Sequence, residues 1–242
     1  NLQDIEATLN YFNSMYTDYN DSIALFNVAY IHDHFFYDLN EAIPLYYKIQ
    51  KEFLDHPSAK YADDRLVELD NNISALLAEN NRKIKFFNAF NLIQNDSLDL
   101  AKIMLEDIEA SRKMPLYQTI DNLNQYIDEY INMNLEYDES QFSDSIIFHR
   151  GKIDYYYFER IDKAVSEFEK IVIQSPNSEY YNQSIWILNK EIDKYKGKNI
   201  IYDLVDTSAI YFYNPIKTWD IKKVKDDCEK LNNLYMNFED KD

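Results

Sequence analysis

The chain is poor in the residues on which several large functional classes depend. It has two glycines, five prolines and one cysteine among 242 residues. Rossmann and P-loop folds need glycine-rich phosphate loops, so these nucleotide-binding classes are excluded. The single cysteine, Cys228, cannot form an internal disulfide and fits any compartment. No stretch approaches the ~20 consecutive apolar residues that a membrane-spanning helix needs.

Basic residues are also scarce. Lys and Arg total 25 against 43 Asp and Glu, which gives a formal net charge of −18. A field of this sign repels phosphate backbones, so nucleic acid is not an expected partner. Two interpretations of the charge stay open: an acidic surface that keeps a helical protein soluble, or an acidic face that docks a partner with a basic surface. The sequence begins at Asn1 rather than Met, which fits either a removed signal or anchor segment or a shortened chain, and membrane association is expected only through such an anchor.

Aromatic residues are abundant, and alanines mark a repeated helical pattern among them. The chain contains 22 Tyr and 14 Phe, and 46% of its residues are hydrophobic, which is enough for a sizeable core. Three alanines are each followed at plus four and plus seven by large apolar residues on one helix face. These triplets are Ala42, Tyr46 and Ile49; Ala101, Leu105 and Ile108; and Ala164, Phe168 and Ile171.

A second small residue precedes each alanine by 12 or 13 positions: Ala29, Ala89 and Gly151. Polar breaks at residues 38–40, 95–97 and 159–162 separate the two halves. Facing small residues allow two antiparallel helices to approach closely, so each segment is predicted to be a helical hairpin. A weaker fourth hairpin is predicted from Ala209, a break at 214–215, and Val224, Cys228 and Leu231.

Each of the first three hairpins is followed by a third predicted helix, at residues 58–79, 115–134 and 177–195. A proline opens each one (Pro57, Pro115 and Pro176), and Gly197 is predicted to cap the last. The patterns therefore predict an all-α chain with one domain over residues 1–242. Its units are 1–21 (partial), 22–79, 80–135, 142–196 and 200–238 (degenerate).

These residues resemble the tetratricopeptide repeat family. The family pattern has a small residue at its eighth position, Ala at its twentieth, an aromatic at its twenty-fourth and Pro at its thirty-second. Gly151, Ala164, Phe168 and Pro176 match it with one extra residue in the turn, and the first unit matches through Ala29, Ala42, Tyr46 and Pro57. The spacing between units is about 60 residues rather than about 34, because each unit has an extra helix.

The connectors between units are similar to those of bacterial envelope members of the family. They are DHPSAKYA at residues 55–62, QSPNSEYY at 174–181 and, with Asn20 in place of proline, DYNDSIAL at 18–25. The resemblance implies an α-solenoid of tetratricopeptide-like hairpins with extra connecting helices, and residues 1–17 as the tail of an earlier helix. It also implies a periplasmic or outer-membrane-associated protein, with the cytoplasm as the alternative.

Catalytic, cofactor-binding and metal-ligating residues are not predicted, and the chain is not expected to be an enzyme. His32 and His34 point about 200° apart on a helix and cannot chelate one metal. His56 and His149 have no second ligand at helical spacing. Cys228 lies on an apolar stripe with Val224 and Leu231, which favours packing over reactivity.

Aromatic doublets and triplets fall on the first helices of the hairpins, at residues 35–37, 86–87, 155–157 and 211–213. Consecutive residues on a helix lie about 100° apart, so one core face cannot accommodate every ring. The rings either pack against the neighbouring third helix or form a concave surface that binds a peptide or partner helix. The candidate surface residues are Phe36, Tyr37, Tyr155, Tyr156, Tyr157, Tyr211 and Tyr213.

The function expected from these features is a non-catalytic scaffold or adaptor for protein–protein interaction, within a bacterial cell-envelope assembly. The alternative is a sensor that binds a peptide or small ligand in its aromatic helical groove. Such a groove is expected to have an arginine or lysine at one end, for example Arg150 or Arg160 near the rings at 155–158.

Overall fold

The computed structural model describes residues 2–110, 115–137, 143–196 and 215–239. Over these ranges the chain forms α-helices and two short 3₁₀ helices, and none of the described residues is in a strand. The all-α prediction is confirmed. The helices are α1 Leu2–Tyr19, α2 Ser22–His34, α3 Leu39–Glu52, α4 Pro57–Gln94, α5 Leu98–Glu106, α6 Pro115–Glu136, α7 Asp144–Tyr156, α8 Ile161–Gln174, α9 Tyr181–Glu191 and α10 Ile221–Glu239.

The chain divides into two compact units. Unit 1 comprises Asn1–Asn81 and Lys222–Asp242, and unit 2 comprises Arg82–Ile221. Unit 1 has one core cluster, in which α2, α3, the first half of α4 and α10 contribute buried residues. Unit 2 has two clusters, one formed by the second half of α4, α5, α6 and the end of α7 and the other by the start of α7, α8 and α9. The assignment of residues 1–242 to a single domain stays a prediction.

The helical hairpins lie where the alanine pattern places them. Each of the nine residues in the three alanine triplets is at most 6% exposed, and Ala29, Ala89 and Gly151 are buried as well. At Gly151 a β-carbon would lie only 2.9 Å from the ring of Phe168, so α7 and α8 approach more closely than an alanine would allow. In the predicted fourth hairpin Cys228 is buried, while Ala209 and Asn214 lie outside the described residues.

The turns inside the hairpins repeat in atomic detail. The α2/α3 and α7/α8 turns each contain one residue with a left-handed backbone, Tyr37 (φ 54°) and Glu159 (φ 53°). Equivalent amides close the two turns: Phe36 N donates to Ile31 O and Asp38 N to His32 O, while Phe158 N donates to Ile153 O and Arg160 N to Asp154 O. The α4/α5 turn has one residue fewer, as the spacing of 12 requires, and its left-handed residue is Asp96 (φ 63°).

The third helices differ from the prediction at their ends. The predicted helix 58–79 does not stop there: α4 runs without a break through Gln94, across the predicted unit boundary at residue 79. Residues 58–94 contain neither proline nor glycine, so nothing interrupts the helical hydrogen bonds. Helix α6 begins at Pro115 as predicted, whereas α9 begins at Tyr181, four residues after the predicted start. Gly197, the predicted cap, lies outside the described residues.

Candidate binding surface

A cluster of three aromatic rings occurs in each unit, with one ring from each of three successive segments. In unit 1, Phe26 of α2 lies 6.1 Å from Tyr46 of α3 and 6.2 Å from Tyr61 of α4, measured between ring centroids. In unit 2, Phe148 of α7 lies 5.8 Å from Phe168 of α8 and 4.6 Å from Tyr180, which precedes α9. The three rings occupy matching repeat positions, so the two clusters are counterparts.

The two clusters differ in how much of the ring surface they cover. Tyr180 stacks on Phe148 with an interplanar angle of 20°, and its hydroxyl lies 3.4 Å from the hydroxyl oxygen of Ser145. Its counterpart Tyr61 meets Phe26 at 49° and is 64% exposed. The connector ring of unit 2 is therefore closed against its neighbour, while that of unit 1, Tyr61, remains open to solvent; we call the unit 1 cluster open for this reason.

The exposed rings of unit 1 continue along α2. Asp21 caps this helix, since its carboxylate accepts from the amides of Ile23 (2.8 Å) and Ala24 (3.1 Å). Tyr30 lies 6.3 Å from Phe26, 6.2 Å from Phe35 and 4.2 Å from the ring of His34. We define the α2 surface as the exposed or half-buried residues Ile23, Phe26, Tyr30, His34, Phe35 and Tyr61.

A buried ion pair holds the helices beneath the α2 surface. The Asp33 carboxylate, only 3% exposed, accepts two hydrogen bonds from Arg65 of α4 at 2.7 and 2.9 Å and one from the Tyr46 hydroxyl at 3.1 Å. Burial alone would raise the pKa of Asp33, but Arg65, with help from His34 and Tyr46, outweighs it and lowers the pKa. Arg65 also pairs with Glu68 at 2.7 Å. The pair thus joins α2, α3 and α4 through one carboxylate.

The tyrosines of unit 1 differ in what their hydroxyl groups contact. Several in the chain donate to a carboxylate, among them Tyr16 to Glu52 (3.1 Å) and Tyr46 to Asp33. The hydroxyls of Tyr30, Tyr37 and Tyr61 make no hydrogen bond to any described residue. These three side chains present both a ring and a free hydroxyl group at the surface of unit 1.

Tyr37 is unusual in its backbone as well. A φ of 54° is favourable for glycine but costs other residues about 1–2 kcal/mol. The side chain is nevertheless 82% exposed and makes no ring contact with the described residues. The left-handed backbone is a shared feature of the hairpin turns, as at Glu159 and Asp96, but packing does not explain why a tyrosine occupies this one.

The other predicted surface residues lie in different environments. Phe36 is half-buried, 5.8 Å from the ring of His32. In unit 2, Tyr157 is buried and stacks on Tyr126, with 3.7 Å between ring centroids. The Tyr155 hydroxyl donates to Glu191 at 2.5 Å, and the ring of Tyr156 packs edge-on against the ring of Tyr155. Tyr211 and Tyr213 lie outside the described residues. The doublets thus do not share one environment.

Sequence reasoning missed Tyr30 and Tyr61 as surface residues. Tyr61 has a usable signal, because it lies four residues after Pro57 in a connector, as Tyr180 does after Pro176. Tyr30 has no such signal, because the sequence around it does not indicate whether another helix covers this face of α2.

Unit 2 has a groove of about 470 Å³ between α6 and α7. Its floor contains the stacked rings of Tyr126 and Tyr157, Glu129 and Glu136 lie on the α6 side, and Lys152 lies on the α7 side. The arginines expected at the end of an aromatic pocket do not line this groove. Both are held in ion pairs instead: Arg160 binds Asp154 and Asp96, each at 2.5 Å, and Arg150 binds Glu167 at 3.1 Å.

Unit 2 also has a buried ion pair, although its residues occupy other repeat positions than Asp33 and Arg65. Asp154 is fully buried and accepts from Arg160 and from the Tyr130 hydroxyl at 3.0 Å. Burial raises the pKa of Asp154 above its usual value, although Arg160 acts in the opposite direction. The guanidinium also lies 4.6 Å from the Tyr130 ring centroid.

Potential metal ligands do not cluster in the described part of the chain, and the single cysteine is buried. Residues 2–110, 115–137, 143–196 and 215–239 contain no group of three or more His, Cys, Asp and Glu residues that could hold a metal ion. The Cys228 thiol is buried and donates to Asn81 Oδ1 at 3.2 Å, and burial raises its pKa, so the reactive thiolate is disfavoured.

Comparison with known proteins yields no relative. No protein-family model, curated protein or solved structure matches the chain. Within the described residues, no helix combines the length and the apolar character that crossing a bilayer requires.

Proposed function

We propose that the chain is a non-catalytic, tetratricopeptide-like scaffold that binds a protein partner through the α2 surface. The observation that carries the proposal is the open three-ring cluster of unit 1 with Tyr30, Phe35 and the exposed Tyr61 beside it. Exposed tyrosines supply much of the affinity at protein interfaces, because a large rigid ring is buried at low entropic cost. The strained, exposed Tyr37 at the end of the same hairpin supports a binding role.

The proposal extends to architecture and compartment. Matching turns and three-ring clusters in units 1 and 2 support a repeated helical hairpin, which we propose to be stacked as an α-solenoid with extra connecting helices. The connectors at 55–62 and 174–181 support a bacterial envelope location. Cell fractionation of the source organism tests the location, since recovery from the cytosol alone would contradict it.

Site-specific crosslinking tests the partner-binding role. We would place a photo-crosslinking phenylalanine analogue at Tyr30, Tyr37 or Tyr61 in the source cell, with Tyr11 as the matched control. Tyr11 is also an exposed tyrosine of unit 1 but lies on α1, outside the α2 surface. We expect a common partner to crosslink from Tyr30 and Tyr61 of the α2 surface and from Tyr37 in the adjoining turn, and not from Tyr11.

Purified proteins then decide whether the crosslink reports binding. Tyr61→Ala is expected to weaken the affinity for the identified partner by about tenfold or more, as for an interface hot spot, and Tyr11→Ala to leave it unchanged. Equal crosslinking from all four positions, or an affinity insensitive to Tyr61→Ala, would contradict the proposal.

The α6/α7 groove favours a second candidate function, a sensor for a short peptide or other small ligand. Its volume of about 470 Å³ lies within the range of ligand pockets, and its floor is aromatic with charged groups on both sides. Chemical shifts of the Met133 methyl group, which lines the groove, would be monitored while amino acids and dipeptides are added. Shifts that saturate, and that Tyr126→Ala abolishes, are expected if the groove binds such ligands; their absence would rule out these ligand classes.

A further inference from the structure

The charge of the chain is concentrated in the segment that carries the α2 surface. Residues 1–81 contain 14 acidic and 4 basic side chains, a formal charge of −10 out of −18 for the whole chain. The four basic residues are Lys48, Lys51, Lys60 and Arg65. This segment holds a third of the residues and more than half of the net charge, so its field attracts cations.

Three of the four basic side chains of residues 1–81 have other neighbours in the structure. Arg65 is bound to Asp33 and Glu68, as described above. Lys48 lies over the ring of Tyr16, 4.7 Å from its centroid. Lys60 lines a separate cleft at the α3/α4 junction with Asp55 and Asp63.

Aromatic rings in this protein frequently pair with cations. Lys190 lies 3.5 Å from the ring centroid of Trp186, and Arg160 lies 4.6 Å from that of Tyr130. Such contacts stabilise by about 0.5–1 kcal/mol when exposed and about 2 kcal/mol when desolvated. Within the described residues, no lysine or arginine lies over the rings of Tyr30 or Tyr61.

Exposed carboxylates lie on the same side of α4 as Tyr61. Asp64 and Glu68 follow Tyr61 by three and seven residues, so all three share one helical stripe. Both carboxylates are exposed, and Glu68 is 60% exposed even though it pairs with Arg65. The surface therefore combines uncovered rings with negative charge.

We propose that the α2 surface binds a lysine- and arginine-rich segment of its partner. The cationic groups of that segment lie over the rings of Tyr30 and Tyr61 and pair with Asp64 and Glu68. The inference rests on the proposed partner-binding role of this surface and names the chemistry of the partner.

Synthetic peptides test the inference without the natural partner. Three fluorescently labelled 12-residue peptides would be titrated with the intact chain: one alternating Lys and Arg with Ala and Leu, one with every Lys and Arg replaced by Gln, and one with Glu instead. The basic peptide is expected to bind about tenfold or more tightly than the Gln peptide, and its affinity to fall as salt is added. Equal binding of the basic and Gln peptides would overturn the inference.

Matched variants separate ring binding from general attraction to an acidic protein. Tyr61→Ala is expected to weaken binding of the basic peptide about tenfold, Tyr61→Phe to preserve it because the ring remains, and Tyr11→Ala to have no effect. Asp64→Asn is expected to weaken binding and to reduce its salt dependence. If Tyr61→Ala and Tyr11→Ala bind equally well, the rings do not take part and the inference fails.

The outcomes distinguish this inference from the function on which it rests. A crosslinked partner that contacts the α2 surface through an uncharged segment would overturn the inference and leave the scaffold proposal in place. Ring-dependent binding of the basic peptide without any crosslinked partner would support the surface chemistry and count against the scaffold proposal.

Discussion

The connector tyrosines of the two units, Tyr61 and Tyr180, occupy the same repeat position with different results. Tyr180 lies flat on Phe148, whereas Tyr61 meets Phe26 at an angle and stays exposed. Eight residues after the connector proline, unit 1 has Arg65, whose guanidinium binds Asp33 between α2 and α4, while unit 2 has the small, fully buried Ser184. We attribute the open cluster to this bulky ion pair, because Arg65 lies one turn after Tyr61 on α4.

The buried carboxylates offer a second comparison. Asp33 and Asp154 both accept from an arginine and a tyrosine, yet the pKa of Asp33 is lowered and that of Asp154 is raised. Each arginine also binds a second carboxylate, but Asp154 is fully buried, whereas Asp33 accepts two hydrogen bonds from Arg65 and has His34 nearby at 3.5 Å. Similar hydrogen-bond partners therefore accompany a lowered pKa at one carboxyl group and a raised pKa at the other.

Removing the arginines should have the largest effect on stability. Arg160→Met strands a fully buried carboxylate and is expected to reduce the free energy of unfolding by about 3–5 kcal/mol. Arg65→Met is expected to cost less, because Asp33 keeps contacts with Tyr46 and His34. Urea denaturation measures the loss, and hydrogen-exchange mass spectrometry assigns it to a unit.

An exposed ion pair of unit 2 provides the control for the arginine variants. Lys102→Met removes a surface contact with Asp128 and should leave the free energy of unfolding nearly unchanged, because solvent screens an exposed pair. Equal losses for Arg160→Met and Lys102→Met would contradict the view that burial makes the Asp154 pair critical.

Truncating the connector tyrosines tests the open and closed clusters directly. Tyr180→Ala removes a stacked ring and is expected to lower the free energy of unfolding by about 1–3 kcal/mol, whereas Tyr61→Ala should change it by less than about 0.5 kcal/mol. Thermal and urea unfolding of the two variants give the comparison. A reversed order would show that Tyr61 is structurally required and is not free to bind.

The carboxylates should respond to pH with opposite signs. Because the folded-state pKa of Asp33 is lowered, its contribution to stability is present above the unfolded pKa near ~3.9 and is lost as pH falls through the folded value. The pKa of Asp154 is raised, so its contribution is present below ~3.9 and declines as pH rises through the folded value.

Unfolding of Asp33→Asn and Asp154→Asn relative to the unsubstituted chain, measured from about pH 2 to neutral pH, checks these signs, because a lowered carboxyl pKa lies below the usual ~3.9. The stability advantage of the unsubstituted chain over Asp33→Asn should shrink toward acid pH, and its advantage over Asp154→Asn should shrink toward neutral pH. Two curves of the same slope would show that Arg160 fully offsets the burial of Asp154.

At the left-handed turn residues the expected change is a small gain in stability. Tyr37→Gly relieves the strain at φ 54° and should raise the free energy of unfolding by about 1 kcal/mol. Glu159→Gly, at the same position in unit 2, also removes the ion pair with Lys217 at 2.6 Å, so its net effect should be closer to zero. Differential scanning calorimetry compares the two. A destabilised Tyr37→Gly variant would mean that the ring packs in solution.

The sequence was informative where the chemistry is local and periodic. The alanine triplets predicted the second helix of each described hairpin. The spacing of 13 before Ala42 and Ala164, against 12 before Ala101, predicted the extra residue in the α2/α3 and α7/α8 turns. The exclusion of strands followed from the same periodicity. These features depend on residues within a few turns of one another, which a single sequence displays.

The candidate surface depended on contacts that the sequence does not display. Asp33 and Arg65 are 32 residues apart, and neither has a neighbour that announces the pair. The predicted end of α4 at residue 79 was wrong, because the repeat pattern placed a boundary there although no proline or glycine interrupts the helix before Gln94. Whether a neighbouring helix covers a ring decides that Tyr30 and Tyr61 are exposed and that Tyr157 is buried. The helical periodicity of the sequence does not show which helix lies opposite a given face.

The hydroxyl groups of two buried tyrosines donate hydrogen bonds to the buried carboxylates, so tyrosine absorbance can report on the two ion pairs. Burial first, and then the adjacent carboxylates, raise the pKa of Tyr46 and of Tyr130, so both phenols resist ionisation in the folded chain. Phenolate absorbs at longer wavelength than phenol, so these two residues belong to the last phase of an alkaline spectrophotometric titration. With Tyr46→Phe and Tyr130→Phe as references, each unit carries its own intrinsic optical reporter of whether its buried carboxylate is still in place.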